Sequence, residues 1–176
     1  MSKVIIETSR LIIREFNLDD LEAVFEFSIN EDVTRYTGDA GAIKTREDAK
    51  GVIESIWLAE YKKYGYARWA LQHKQSGKVI GFCGFKNDDR IQATDLGYRM
   101  LPEFWGQGLA TEACTACLQY AKQHMALDRI LGEVVVQNTN SANVLEKLGF
   151  KFVSEYPDLG VTIKRYELWL RQLPSG

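Results

Sequence analysis

Apolar positions along the chain fall into short runs that switch between strand and helix periods. The run Arg10-Leu-Ile-Ile-Arg-Glu-Phe16 predicts a first strand. Asn17 then offers a helix cap, Asp20 sits in the first turn, and Leu21, Val24, Phe25 and Ile29 share one helical face. Residues 30–43 carry Gly38 and Gly41 and predict a loop. Thr45 with Asp48 marks a second helix start, whose apolar stripe is Ile53, Ile56, Trp57 and Tyr61 and whose end is Gly65. Three strand-like runs follow, at 66–73, at 78–85 after the Ser76-Gly77 turn, and at 94–101. A helix is then predicted over Leu109–His124, with Ala113, Cys117 and Tyr120 on one face. A β-branched run at 129–136 comes next, then a short helix over 141–148, capped by Ser141 or Asn140 and stopped by Gly149. Runs at 150–156 and 161–169, joined around Pro157 and Gly160, close the pattern as strands. The order β-α-α-β-β-β-α-β-α-β-β fits an α/β fold of the α+β type, a central sheet with helices on its faces.

Composition narrows the picture. The 176 residues suit one domain over 1–176 with a real core. No apolar run approaches the roughly 20 residues of a membrane span, and Glu7 and Arg10 interrupt any signal-like start. With 22 basic and 24 acidic residues the formal charge is −2, which carries no footprint for nucleic acid. A soluble, cytoplasmic protein is expected. Cys83, Cys114 and Cys117 are odd in number, against a disulfide framework. Cys114 and Cys117 have C-x-x-C spacing but lie in an alanine-rich helical stretch, where thiols pack as small apolar groups; no metal is expected.

The stretch Leu101-Pro-Glu-Phe-Trp-Gly-Gln-Gly-Leu-Ala-Thr-Glu-Ala113 carries the chemistry. A strand runs into a glycine-bearing turn that opens a helix. Such a helix start presents unpaired N–H groups and a positive dipole end, and Gly106 and Gly108 let a phosphate approach the backbone. Gln107-Gly108-Leu109 is not the Gly-Lys-Ser/Thr of a Walker loop, and Thr111 stands where a Rossmann fingerprint has its third glycine. A second segment, Asn138-Thr-Asn-Ser-Ala-Asn-Val-Leu-Glu-Lys-Leu-Gly-Phe150, reads as a strand end, a polar turn and a capped helix.

Together these segments resemble the GNAT superfamily of acyl-CoA N-acyltransferases, in its RimJ/RimL-like branch. The family's pyrophosphate loop, Arg/Gln-x-x-Gly-x-Gly/Ala, is matched by Trp105-Gly106-Gln107-Gly108-Leu109-Ala110, with Trp105 departing from Arg/Gln. The downstream Asn-x-x-Ser-x-x-x-x-Glu-Lys-x-Gly-Phe is met at Asn138, Ser141, Glu146, Lys147, Gly149 and Phe150. Glu7-Thr-Ser-Arg-Leu-Ile-Ile-Arg14 and Leu96-Gly-Tyr-Arg99 look like the same branch.

The resemblance implies a mostly antiparallel mixed sheet with helices on both faces and a splay between the fourth and fifth predicted strands. The acetyl-CoA arm would lie in that splay, pairing with Met100 and Leu101, with the Met100 N–H on the thioester oxygen. Backbone N–H groups of Gly106, Gln107, Gly108, Leu109, Ala110 and Thr111 would hold the diphosphate. Asn138 and Asn143 would bond the arm or the nucleotide, and Lys147 is a candidate phosphate contact. The implied reaction is direct attack of an amine on the thioester in a ternary complex, the acceptor being a protein N-terminus or a small molecule. Leu145 occupies the position where many members carry an acidic tyrosine, so Ser141 is the substitute by position. Asp95 is the first choice of base, with Glu15, Glu133 or a water chain as alternatives. Glu31, Asp32 and Asp39 would attract a cationic amine, with Tyr36, Trp57 and Trp69 as pocket walls. The other reading is a module that binds acyl-CoA or another ligand without turnover. Apolar edge strands near the C-terminus make a homodimer an expectation.

Overall fold

The structure, a computed structural model, describes residues 2–174. Its eight strands are β1 (Val4–Glu7), β2 (Leu11–Arg14), β3 (Arg68–His73), β4 (Val79–Asp88), β5 (Ala93–Met100), β6 (Arg129–Val135), β7 (Lys151–Asp158) and β8 (Val161–Trp169). They form one sheet in the order β1-β2-β3-β4-β5-β6-β8-β7. Every neighbouring pair is antiparallel except β5 with β6. The expected mixed, mostly antiparallel sheet is therefore present.

The pattern of pairing locates the splay. β5 pairs with β4 along its whole length, from Gly81↔Met100 to Asp88↔Ala93. β6 pairs with β8 from Arg129↔Trp169 to Val135↔Ile163. Between them only Thr94↔Ile130 and Asp95↔Leu131 are matched. Beyond Asp95 the two strands part, so Leu96 to Met100 and Gly132 to Val135 face a gap. The gap lies between the fifth and sixth strands rather than the fourth and fifth, because β1 adds a strand that the sequence pattern had not revealed. Its four residues, Val-Ile-Ile-Glu, hairpin onto β2 at the sheet edge without clear alternation.

Helices flank both faces. α1 (Leu21–Ile29) follows a 3-10 turn over Leu18–Asp20 in which Asn17 and Asp20 complete a capping box. Asp20 also takes both Nη donors of Arg14 at 2.8 Å, which ties β2 to this helix start. α2 (Glu31–Thr34) is a single capped turn inside the expected loop, too short to show a period. α3 (Arg46–Gly51) begins at the Thr45–Asp48 capping box, passes through a π-helical stretch over Val52–Trp57, and continues as α4 (Leu58–Tyr64) to Gly65 at φ +80°. The wider π turn aligns Ile53, Trp57 and Tyr61 at four-residue steps into the core and leaves Ile56, a member of the predicted stripe, exposed instead. Trp57 stacks on Phe16 at 4.3 Å, and Phe27 meets Phe82 edge-on.

The opposite face is covered by α5 (Leu109–His124), whose Leu109, Ala113, Cys114, Cys117, Leu118 and Ala121 are buried. Tyr120 packs edge-on against the fully buried Trp69. Cys83, isolated in sequence, lies on β4 with its sulfur 3.7 Å from both Cys114 and Cys117; all three are buried free thiols. α6 (Thr139–Lys147) lies after β6, and Leu145 is buried against it. A Cβ at Gly132 would come within 2.9 Å of the Leu145 methyls, so glycine there makes the seat for this leucine. Among the described residues no helix is long and apolar enough to cross a membrane.

Candidate active site

The gap opens into a cavity of about 580 Å³. One wall is the loop after β5 and the first turn of α5, with Trp105, Gly106, Gly108, Leu109, Ala110 and Thr111. Gly106 and Gly108 have φ of +74° and +78°, which turns the chain sharply from the 3-10 turn at Pro102–Phe104 into α5. Glu112 N–H makes the first helical bond of this turn, to Gly108 O at 3.0 Å. The amides of Leu109, Ala110 and Thr111 therefore precede the helical ladder, and no side chain caps them. These three residues line the cavity, so its wall is a row of uncapped donors at the positive end of a 16-residue helix.

An acidic residue in that first turn would oppose an anion, and its charge is drawn off. Glu112 accepts from Thr8 Oγ1 at 2.7 Å, Arg10 Nε at 2.7 Å and Arg10 N at 3.1 Å. Burial alone would raise its pKa, but these donors outweigh burial and hold it below the usual carboxylate range. Arg10 Nη1 also donates to Gln107 O at 2.7 Å, strapping the loop to the start of β2.

The second wall is β5 and α6. Asn138, not Ser141 or Asn140, caps α6: its Oδ1 accepts from Ser141 N at 3.2 Å. The helix consequently starts two residues earlier than predicted and places Ser141 in the first turn. Ser141 Oγ lies 3.1 Å from the Tyr98 hydroxyl. Burial pushes the Tyr98 phenol up to about 12, with the Ser141 hydrogen bond opposing. Tyr98 is thus protonated at neutral pH and is a donor.

Tyr98 and Arg99 are adjacent on one strand and project to opposite faces. Tyr98 meets α6, while Arg99 lies over the Phe82 ring, 4.8 Å away, on the α1 side. Both line the same cavity because no strand fills the gap beside them. Burial draws Arg99 below the usual arginine range, against the pull of Asp39. The far rim is α2 and its sequel, with Asp32, Val33, Arg35, Tyr36 and Thr37.

Of the residues the sequence singled out, Met100, Gly106, Gly108, Leu109, Ala110, Thr111, Asn138, Ser141, Asp32 and Tyr36 meet at the cavity. Leu101 is buried beside it, with its N–H on Ile80 O. Met100 O is engaged by Trp105 Nε1 at 2.8 Å. Gln107, Asn143 and Lys147 are exposed and outside the lining. Asp95 also stands apart. Arg68 Nη2 reaches Asp95 Oδ1 at 3.0 Å, an ion contact outside hydrogen-bond geometry, while Arg68 Nη1 donates to Gly84 O at 2.8 Å. Glu133 is held by Tyr156 and Arg165 in a separate hollow, and Glu15 does not reach the cavity. Trp57 and Trp69 are core residues, not pocket walls, because each lies within an aromatic cluster under a helix. The sequence reading missed Tyr98, Arg99, Asn140 and Val144 as cavity residues. Leu96-Gly-Tyr-Arg99 was visible as a motif, but not which of its positions would face a gap.

The chain is similar to known acetyltransferases in sequence and in fold. The uncharacterized N-acetyltransferase YoaA of Bacillus subtilis (strain 168) is 32% identical over 148 residues, 84% of this chain and 82% of that protein. A [ribosomal protein uS5]-alanine N-acetyltransferase of Escherichia coli (strain K12) is 32% identical over 97 residues, 53% of this chain and 50% of that one. In fold, the chain resembles RimL, a ribosomal L7/L12 alpha-N-protein acetyltransferase solved in complex with coenzyme A. The TM-score is 0.84 at 14% identity, over 95% of this chain and 98% of that one. The family model described as the acetyltransferase (GNAT) domain matches residues 10–151, and the chain belongs to that family.

Proposed function

We propose that this protein transfers the acetyl group of acetyl-CoA to a primary amine by direct attack in a ternary complex, residues 1–176 acting as one unit. The observation that carries this reading is the row of uncapped amides at Leu109, Ala110 and Thr111, opening into the same cavity as the Tyr98–Ser141 hydroxyl pair. Phosphates of the donor fit the amides, and its extended arm fits the gap, where β5 and β6 offer unpaired edges. Met100 N–H is the donor for the thioester oxygen.

In the reaction the amine nitrogen bonds to the acetyl carbon, the carbon–sulfur bond breaks, and the sulfur leaves as a thiolate. A phenol near 12 is a weaker acid than a thiol at about 8.5. Tyr98 and Ser141 therefore stabilise the thiolate by hydrogen bonding, rather than by giving up a proton outright. The amine releases two protons from its ammonium form; one neutralises the thiolate and one leaves in solvent. Among the described residues Asp32 is the one carboxylate lining the cavity, and it is exposed and paired with Arg35 at 3.0 Å. Water is accordingly the proton acceptor in this reading, and Asp95 takes no part in proton transfer.

Thiol release from acetyl-CoA across an amine panel tests the proposal. The expected result is amine-dependent release. Tight CoA binding without release on any amine supports the binding-only reading, which the apolar Leu145 at the usual tyrosine position favours.

A further inference from the structure

We infer that Arg99 anchors an anionic group of the acceptor, so that the amine substrate carries a carboxylate close to its reacting nitrogen. This rests on the acetyl-transfer reading and specifies its substrate class. Arg99 is one of the residues lining the cavity, and its side chain is only 13% exposed. Its guanidinium is seated over Phe82, and its Nε is buried with no hydrogen-bond partner among the described residues. A guanidinium offers five donors in a planar fork that matches a carboxylate. Among the described residues the one hydrogen bond of the Arg99 guanidinium is from Nη2 to Asp39 Oδ2 at 3.0 Å.

The origin of Asp39 matters. It belongs to the exposed segment after α2, and its own side chain is 47% exposed. Among the described residues this contact is the one hydrogen bond from residues 36–43 to the sheet. The neighbouring Arg68 is satisfied differently. It lies against Gly97, where a Cβ would come within 2.7 Å of its guanidinium, and it is held by Asp95 and Gly84 O inside the sheet. One arginine on this face thus has fixed internal partners. The other is as little exposed, yet its partner is lent by a surface loop.

Asp39 stands where a substrate carboxylate would compete. Arg99 lies between Tyr98 and Met100 in sequence, on the face opposite the hydroxyl pair. An acceptor held there by its carboxylate presents its amine toward the gap. An α-amino acid is the simplest such molecule, and a peptide beginning with an acidic residue supplies the same group. A polyamine would set a second cation against Arg99 and is disfavoured.

The test uses the common amino acids, their amides, their decarboxylated amines, and peptides beginning with Asp or Ala. Thiol release gives kcat/KM, and calorimetry gives binding to the CoA-loaded protein. Removing the carboxylate from a good acceptor is expected to lower kcat/KM roughly 10- to 100-fold. Arg99→Met should collapse that preference, and Asp39→Asn, which removes the competitor, should tighten carboxylate binding several-fold. Free amino acids against Asp-peptides decide which source of the carboxylate is used. Equal rates with and without the carboxylate, or an Arg99→Met loss shared equally by neutral acceptors, would overturn the inference. So would carboxylate binding that Asp39→Asn leaves unchanged or weaker. If no acceptor releases thiol, the transfer reading fails by itself. Calorimetry then decides Arg99: carboxylate binding lost in Arg99→Met supports it, and no carboxylate binding to the wild type overturns it.

Discussion

The Tyr98 hydroxyl stands 3.1 Å from the Ser141 hydroxyl, joining β5 to α6 across the place where β5 and β6 part. If the pair serves the proposed transfer as a unit, removing either member should cost nearly as much as removing both. Tyr98→Phe and Ser141→Ala are each expected to lower kcat by about 10-fold, the worth of one hydrogen bond to a developing charge. The double variant should lose much less than the product of the two. Steady-state thiol release measures all three, and fully additive losses would show that the hydroxyls act separately.

Gly108→Glu should abolish acetyl-CoA binding in calorimetry, because it sets a carboxylate among the amides of the α5 start. Gly108→Ala separates charge from backbone strain. At φ +78° an alanine is expected to cost about 1–2 kcal/mol of stability while leaving binding measurable. Normal binding by the glutamate variant would mean that the donor loop lies elsewhere.

Glu112 contributes stability that depends on pH. Its carboxylate is held below its usual range by Thr8 and Arg10. A depressed folded pKa means that the contribution is complete above the unfolded value, roughly 4.3, and is lost as pH falls through the folded value. Glu112→Gln should therefore lower Tm at pH 7, by the equivalent of about 1–2 kcal/mol. The gap between variant and wild type should narrow toward pH 3. A gap that widens on acidification would reverse the assigned sign.

Gly97→Ala should destabilise the sheet interior. The new methyl would meet the Arg68 guanidinium, which is held between Gly84 O and Asp95 and has little room to retreat. Displacing it leaves the Asp95 carboxylate without its cation, at an expected cost of about 3 kcal/mol in urea unfolding. A change under about 0.5 kcal/mol would show that Arg68 relocates freely.

Much of this was legible in the chain. Leu109–His124 was bounded correctly because a glycine turn and a long apolar face agree at its start. The amides at Leu109, Ala110 and Thr111 were legible too, since a helix start fixes which donors go unpaired. What could not be read depended on contacts far apart in sequence. Trp57 and Trp69 have the composition of pocket walls, but tertiary packing buries them. Asp95 looked like a free carboxylate until Arg68, 27 residues earlier, was brought beside it by β3, β4 and β5. Arg99 was legible within the Leu96-Gly-Tyr-Arg99 motif, but its place at the cavity was not, because alternation along a strand cannot report that the next strand has turned away.

A sheet is ordinarily a partition, and side chains on its two faces never share a solvent space. Where β5 and β6 diverge the partition has a doorway, with Tyr98 on one side of the threshold and Arg99 on the other. Two molecules can then approach a common point from opposite directions, neither standing in the other's route. Such a layout has room for both substrates at once, and initial-rate plots against the two should intersect rather than run parallel, as a covalent intermediate would make them.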